Sequence, residues 1–118
     1  MFNLMMYLPW GKVPEINAQD LLQQQQDVQI VDVRTRKEFC DSHIQGALHL
    51  PLSQMNESNV KALSLDPTKP VVTICLSAHR SIPATRRLAK MGYQASQLQG
   101  GMKAWWKQQM PCVSSQVK

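Results

Sequence analysis

Val71-Val72-Thr73-Ile74-Cys75, followed by Leu76-Ser77-Ala78-His79-Arg80-Ser81 and then Ile82-Pro83-Ala84-Thr85, is the stretch that decides the fold. Its first five residues are nearly continuously apolar and rich in β-branched side chains. That is the pattern of a strand covered on both faces in a parallel sheet. A helix is expected over 81–91. Pro83 falls in its first turn, where a missing N–H costs little, and Gly92 sits where a left-handed C-cap is wanted. Ile82, Thr85, Leu88 and Ala89 are expected to face inward, with Arg86, Arg87 and Lys90 on the outer side.

The same alternation continues on either side. Upstream, Asn17 can cap a helix running to Gln26, with Asp20 at the capping-box position. Residues 28–33 read as a strand, Thr35 can cap a short helix over Arg36–Asp41, and 47–50 is a brief strand stopped by Pro51. A helical turn or two is expected within 60–65. Downstream, Ala95–Leu98 is a short strand leading through Gly100-Gly101 into a helix over 102–109, ended by Pro111. Strands alternating with helices predict the α/β class: one domain with an open parallel sheet of about five short strands and helices on both faces.

Composition agrees with one domain. The chain has 118 residues and a mass of 13.4 kDa, enough to bury roughly two-thirds of its unfolded surface. With 43% hydrophobic and 18% charged residues it is not disordered overall. The apolar start Phe2-Asn3-Leu4-Met5-Met6-Tyr7-Leu8 is far shorter than the ~20 residues of a membrane span. It also lacks a basic leader and a small-residue cleavage site, so no membrane span is expected. Cys40, Cys75 and Cys112 are an odd count, spaced 35 and 37 apart with no CxxC pair. Neither a disulfide framework nor a metal site is expected, and the cytoplasm is the expected address.

The net charge of +5 conceals an asymmetry: residues 1–66 carry a balance of −3 and residues 67–118 a balance of +8, with no acidic side chain. An all-basic half suggests an anionic partner. The bases are dispersed, with Arg86-Arg87 the only doublet, and lack the aromatic interleaving of a single-strand groove. A small anion at a focused site fits better than nucleic acid, and plain solvated helix faces are the alternative.

Ligands of such sheets gather beyond the C-terminal strand ends, and Cys75 ends the most buried-looking strand. A short loop after it can turn backbone N–H groups toward the sulfur, and the following helix adds positive potential. Both favour thiolate over thiol, as does Arg80 if its guanidinium lies nearby. The alternative is an inert buried cysteine. His79 is expected in solvent, and Ser81 is expected to cap its helix. Asp32 and Arg34 are expected to form a structural ion pair, and His43 and His49 to be structural. Trp105 is assigned to the core, and Cys40 and Cys112 are read as spare thiols.

These residues carry a resemblance. Cys75-Leu76-Ser77-Ala78-His79-Arg80-Ser81 resembles the C-x-x-G-x-R-S active loop of rhodanese-domain sulfurtransferases. Ile30-Val31-Asp32-Val33-Arg34 with Glu38-Phe39 is similar to that family's D-V-R…E-F element. Ser42-His43-Ile44-Gln45-Gly46-Ala47 with Leu50-Pro51-Leu52 is similar to its G-H-I-P-G-A…I-P-L segment. Met91-Gly92-Tyr93 with Leu98-Gln99-Gly100-Gly101-Met102-Lys103-Ala104-Trp105 is similar to its G-Y…L-x-G-G-x-x-A-W ending. The likeness runs over 16–111 and implies a rhodanese-like domain over 13–111, with an N-terminal extension 1–12 and a tail 112–118. Ala78, Ser42 and Gln45 depart from the family's glycine, glycine and proline. If the loop glycine's conformation has φ > 0, Ala78 must adopt it at a cost.

The resemblance implies Cys75 as catalytic nucleophile and Leu76, Ser77, Ala78, His79, Arg80 and Ser81 as the substrate-binding loop. It also places the Ser81 hydroxyl near the transferred sulfur. The implied reaction moves sulfane sulfur from a small anionic donor, such as thiosulfate or a persulfide, through a Cys75 persulfide to a thiol or to cyanide, without a cofactor. Three other classes are weighed against it: a rhodanese-like binding or regulatory module, a rhodanese-fold phosphatase or arsenate reductase, and a nucleic-acid binder. The second has a C-x5-R loop, whereas four residues separate Cys75 from Arg80 here.

Overall fold

A computed structural model of the chain describes residues 12–115. It contains strands β1 (Glu15–Ile16), β2 (Gln29–Asp32), β3 (Leu48–His49), β4 (Val71–Ile74) and β5 (Ala95–Leu98). The helices are α1 (Ala18–Gln24), α2 (Arg36–Asp41), α3 (Glu57–Ala62), α4 (Ser81–Lys90) and α5 (Gly101–Lys107). All strand pairs are parallel, in the order β1-β5-β4-β2-β3. The α/β architecture is therefore the one expected, with β4 at the centre of the sheet.

The two-residue period of a strand sorts the core. Val71 of β4 and Cys75 just after it enter one apolar cluster with Val60, Ala84 and Leu88, beneath α3 and α4. Val72 and Ile74 enter the other with Leu21, Met102 and Trp105, beneath α1 and α5. Helices thus cover both faces, and the thiol of Cys75 belongs to the α4 side. The helix starts follow local chemistry. Asn17 accepts from the Asp20 N–H at 2.8 Å, and Thr35 with Glu38 forms a full capping box at α2.

Several local expectations need correction. β1 was not anticipated, because two residues offer no periodicity. α3 begins at Glu57, ahead of the expected 60–65, because Asn56 caps it by accepting from Asn59 N–H at 2.8 Å. α4 buries Ser81, Ala84, Thr85 and Leu88. Ile82 and Ala89 are only half-buried. The inward stripe is turned toward smaller and polar side chains because the helix packs closely on β4 and β5. There the Thr73 hydroxyl meets that of Thr85 at 2.8 Å, and Thr85 donates to the Ser81 carbonyl at 2.6 Å.

Beyond residue 111 the chain stays on the domain. His43 and Val113 exchange both backbone hydrogen bonds at 2.8 Å, and Ser115 N–H donates to the Cys40 carbonyl. The apolar segment 2–10, most of the expected extension 1–12 and the last part of the tail lie outside the described residues. Among the described residues, no helix is long and apolar enough to cross a membrane.

Candidate active site

Cys75 follows the last residue of β4 and is 1% exposed. The chain then turns through residues 76–80 and enters α4. Two devices shape that turn. Gly101 opens α5 at φ +61, and a Cβ there would lie 2.5 Å from the Cys75 carbonyl oxygen and 2.6 Å from that of Leu76. Only glycine lets α5 come this close. Its first amides then clamp the loop, Met102 N–H donating to the Cys75 carbonyl at 2.8 Å and Lys103 N–H to that of Leu76 at 3.0 Å. Ala78 is the second device. It has φ 67, the left-handed region expected if it replaces a glycine there.

With the carbonyls at the start of the loop occupied, the amides of residues 76–81 have no acceptor among the described residues. The Cys75 sulfur lies 3.3 Å from the Ser81 hydroxyl. Ser81 is the first residue of α4 and fully buried, and its hydroxyl donates to Gln97 Oε1 at 2.6 Å. The expected capping role is therefore corrected: Arg80 occupies the N-cap position, and no side chain caps α4. The Ser81 hydroxyl faces the thiol instead, because its position in the first turn looks into the sheet. His79 is exposed, with Nδ1 3.1 Å from the Ser77 hydroxyl.

Arg80 reaches back across the loop to α2. Its Nη1 and Nη2 donate to Glu38 Oε1 and Oε2 at 2.6 and 2.8 Å, a two-pronged pair. The Arg80 guanidinium holds the Glu38 carboxyl down at about 2, with help from Thr35 and against partial burial. Arg80 itself is pushed up, first by its hydrogen bonds to Glu38 and further by the charges of Cys75 and Asp32. Two of its five N–H groups serve Glu38, and its side chain is 34% exposed.

The remaining candidates separate from this cluster. Asp32 and Arg34 form a pair at 2.8 Å with each side chain 1% exposed. Phe39 stacks between His43 and His49, with ring centroids 3.8 and 4.5 Å away. Each imidazole also contacts a backbone carbonyl, that of Phe39 or of Arg34. Trp105 is wholly buried, and Cys40 lines a groove of about 410 Å³ with Phe39 and His49. Among the described residues no group of three or more histidine, cysteine or acidic side chains could hold a metal ion.

Sequence reasoning missed Glu38 as the partner of Arg80, and Gln97 behind Ser81. A polar side chain in the middle of a two-faced strand was the available signal for Gln97, since burial obliges it to find partners.

Comparison with known proteins adds the lineage. The family model described as Rhodanese-like domain matches residues 17–108. A protein of Allochromatium vinosum named Sulfurtransferase is 33% identical over 106 residues, covering 86% of this chain and 96% of that protein. Thiosulfate sulfurtransferase GlpE of Coxiella burnetii is 30% identical over 97 residues, covering 81% and 87%. The uncharacterized Synechocystis protein slr1261 is 37% identical over 95 residues; the match covers 80% of this chain and only 51% of that one. Among solved structures, a rhodanese-related protein of Thermoplasma volcanium superposes with a TM-score of 0.75 at 28% identity, covering 85% of this chain and 97% of that one.

Proposed function

From the premise that the chain belongs to the rhodanese-like domain family, we propose that it is a sulfurtransferase using Cys75 as nucleophile and thiosulfate, or another sulfane donor, as substrate. The observation that carries this reading is the Cys75 sulfur at the base of a loop whose amides, residues 76–81, have no acceptor among the described residues. Unclaimed N–H groups beside a buried sulfur stabilise negative charge on thiolate and persulfide alike. The name of the Coxiella relative and the basic half of the chain support thiosulfate as donor.

In the first half-reaction the Cys75 thiolate attacks the outer sulfur of thiosulfate. A sulfur–sulfur bond forms to Cys75, the bond within thiosulfate breaks, and sulfite leaves with the electron pair. In the second, a thiolate or cyanide attacks the outer sulfur of the persulfide, and the Cys75 thiolate departs. Leu76, Ser77, Ala78, His79 and Ser81 supply loop amides. The spare N–H groups of Arg80 attract the anionic donor. A reducing compartment such as the cytoplasm suits a free nucleophilic thiol and a thiol acceptor.

Mass spectrometry after incubation with thiosulfate tests the reading. One added sulfur atom, mapped to Cys75 and removed by cyanide, is the expected result. Sulfur on Cys75→Ser protein, or on Cys40 or Cys112, overturns the assignment, and no loading at all favours a binding module. Arg80→Ala should slow loading by thiosulfate at least tenfold, and by more than it slows alkylation of Cys75 by neutral iodoacetamide, since only the first partner is an anion. Hydrolysis of an aryl phosphate by the wild-type protein would favour the phosphatase reading. The four residues between Cys75 and Arg80, one fewer than in a C-x5-R loop, favour transfer of a single sulfur.

A further inference from the structure

Behind the nucleophile runs a chain of hydrogen bonds that the reaction itself does not require. Cys75 Sγ lies 3.3 Å from Ser81 Oγ, Ser81 Oγ donates to Gln97 Oε1 at 2.6 Å, and Gln97 Nε2 donates to Glu15 Oε2 at 2.8 Å. It crosses three elements, from the start of α4 through β5 to the edge strand β1. Ser81 and Gln97 are buried, whereas Glu15 is exposed.

The directions along this chain follow from counting protons. A carboxylate only accepts, so the Gln97 amide must turn its NH2 toward Glu15 and its oxygen toward Ser81. A hydroxyl has one proton, and the Gln97 oxygen takes it. Ser81 then meets the sulfur with lone pairs only. It accepts from the Cys75 thiol and has no proton left for the thiolate unless it gives up Gln97. A hydrogen bond to the neutral form, together with none to the charged form, keeps a thiol more basic.

We propose that Gln97, oriented by Glu15, is a positioning residue that withholds the Ser81 proton from the Cys75 sulfur and so sets the basicity of the nucleophile. The inference rests on Cys75 being the nucleophile proposed above. Its chemical consequence has two sides. A thiolate without a Ser81 donor ionises at higher pH but is the stronger nucleophile once ionised, because thiolate reactivity rises with basicity. The loop amides supply ionisation, and the withheld proton preserves reactivity.

Arg80, at the start of α4, is the charge that interacts with Cys75, and it links in turn to Glu38 on α2 and Asp32 at the end of β2; the variants below leave all three untouched.

The test is the rate of Cys75 alkylation by iodoacetamide across pH in the intact chain, with Cys40 and Cys112 replaced by serine throughout. Gln97→Leu keeps the bulk and removes both polar atoms. It should shift the alkylation midpoint down by about one pH unit and lower the plateau rate of the ionised thiol about threefold. Glu15→Lys, on the exposed edge, presents a donor in place of an acceptor and should reverse the Gln97 amide. The NH2 then points at Ser81, whose proton is released to the sulfur, so the same two changes should appear without touching the core. Glu15→Gln can still accept through its carbonyl oxygen and should resemble wild type.

A midpoint that stays or rises in both Gln97→Leu and Glu15→Lys overturns the proposal. So does a lower midpoint without a lower plateau, since damage to packing has no reason to weaken the ionised thiol in proportion. Alkylation requires no sulfur donor. A chain that fails to load sulfur from thiosulfate therefore defeats the function proposed above while leaving this orientation chain to be judged on its own.

Discussion

Arg34 and Arg80 each grip a carboxylate with a guanidinium fork, yet they do different work. Arg34 donates through Nε and Nη2 to Asp32 and through Nη2 to the Ser42 carbonyl at 2.6 Å, with both side chains of the pair 1% exposed. Its guanidinium carbon lies 6.0 Å from the Trp106 ring centroid. Arg80 pairs with Glu38 at side-chain exposures of 34% and 28%, and interacts with the charge of Cys75. The first pair ties β2 to the segment leading into β3. The second stays partly open to solvent, where the proposed function uses the remaining N–H groups of Arg80 to draw in the donor. On that reading, identical chemistry divides into scaffold and site according to burial and to how many N–H groups remain uncommitted.

The sharpest way to break the contrast is Arg34→Met. It leaves the buried Asp32 without its cation and should cost about 3–5 kcal/mol, read as a lower urea midpoint. A loss below about 1 kcal/mol would put Arg34 in the same class as an exposed pair.

The acid response of the second pair should be smaller. The Glu38 carboxyl titrates at about 2 in the fold against an ordinary 4.5. Its contribution is therefore complete above the ordinary value and is lost as pH falls through the folded one. Because both partners meet solvent, about 1 kcal/mol is expected in that window. Comparing urea unfolding near pH 6 and near pH 2.5 for wild type and Glu38→Gln isolates it. An equal acid loss in both proteins removes Glu38 as its source.

The smallest effect belongs to the loop backbone. Ala78 at φ 67 carries a strain of about 1 kcal/mol that glycine relieves, offset in part by the greater freedom of glycine when unfolded. Ala78→Gly should raise the unfolding free energy by a few tenths of a kcal/mol and leave thiocyanate formation equal or faster. A clear loss in both would mean that the loop depends on the alanine methyl group rather than tolerating it.

How far the sequence could be read follows from the range of the interactions involved. Helix α2 was legible to the residue, because Thr35 and Glu38 form its capping box within one turn. Strand β4 was legible because burial on both faces writes an apolar run. The start of α3 was missed where a polar cap precedes the apolar signal, and β1 was missed for want of length. Within the candidate site, Cys75 and its loop stood out by position. Their partners did not, since Glu38 lies 42 residues from Arg80 and Gln97 lies 16 from Ser81.

By itself, then, the sequence determined the α/β class, the order of elements after β1, the strand end that carries Cys75 and the charge asymmetry. All of these depend on periodicity, caps and composition, which act over a few residues. Only the tertiary structure decided that α5 comes close enough at Gly101 to clamp the Cys75 and Leu76 carbonyls. It likewise decided that Arg80 is shared with Glu38, that the Ser81 hydroxyl faces the thiol rather than capping its helix, and that Gln97 and Glu15 stand behind it. The physical reason is that a donor's partner is chosen by distance in space and by the count of available protons. Neither is written in the spacing of residues along the chain.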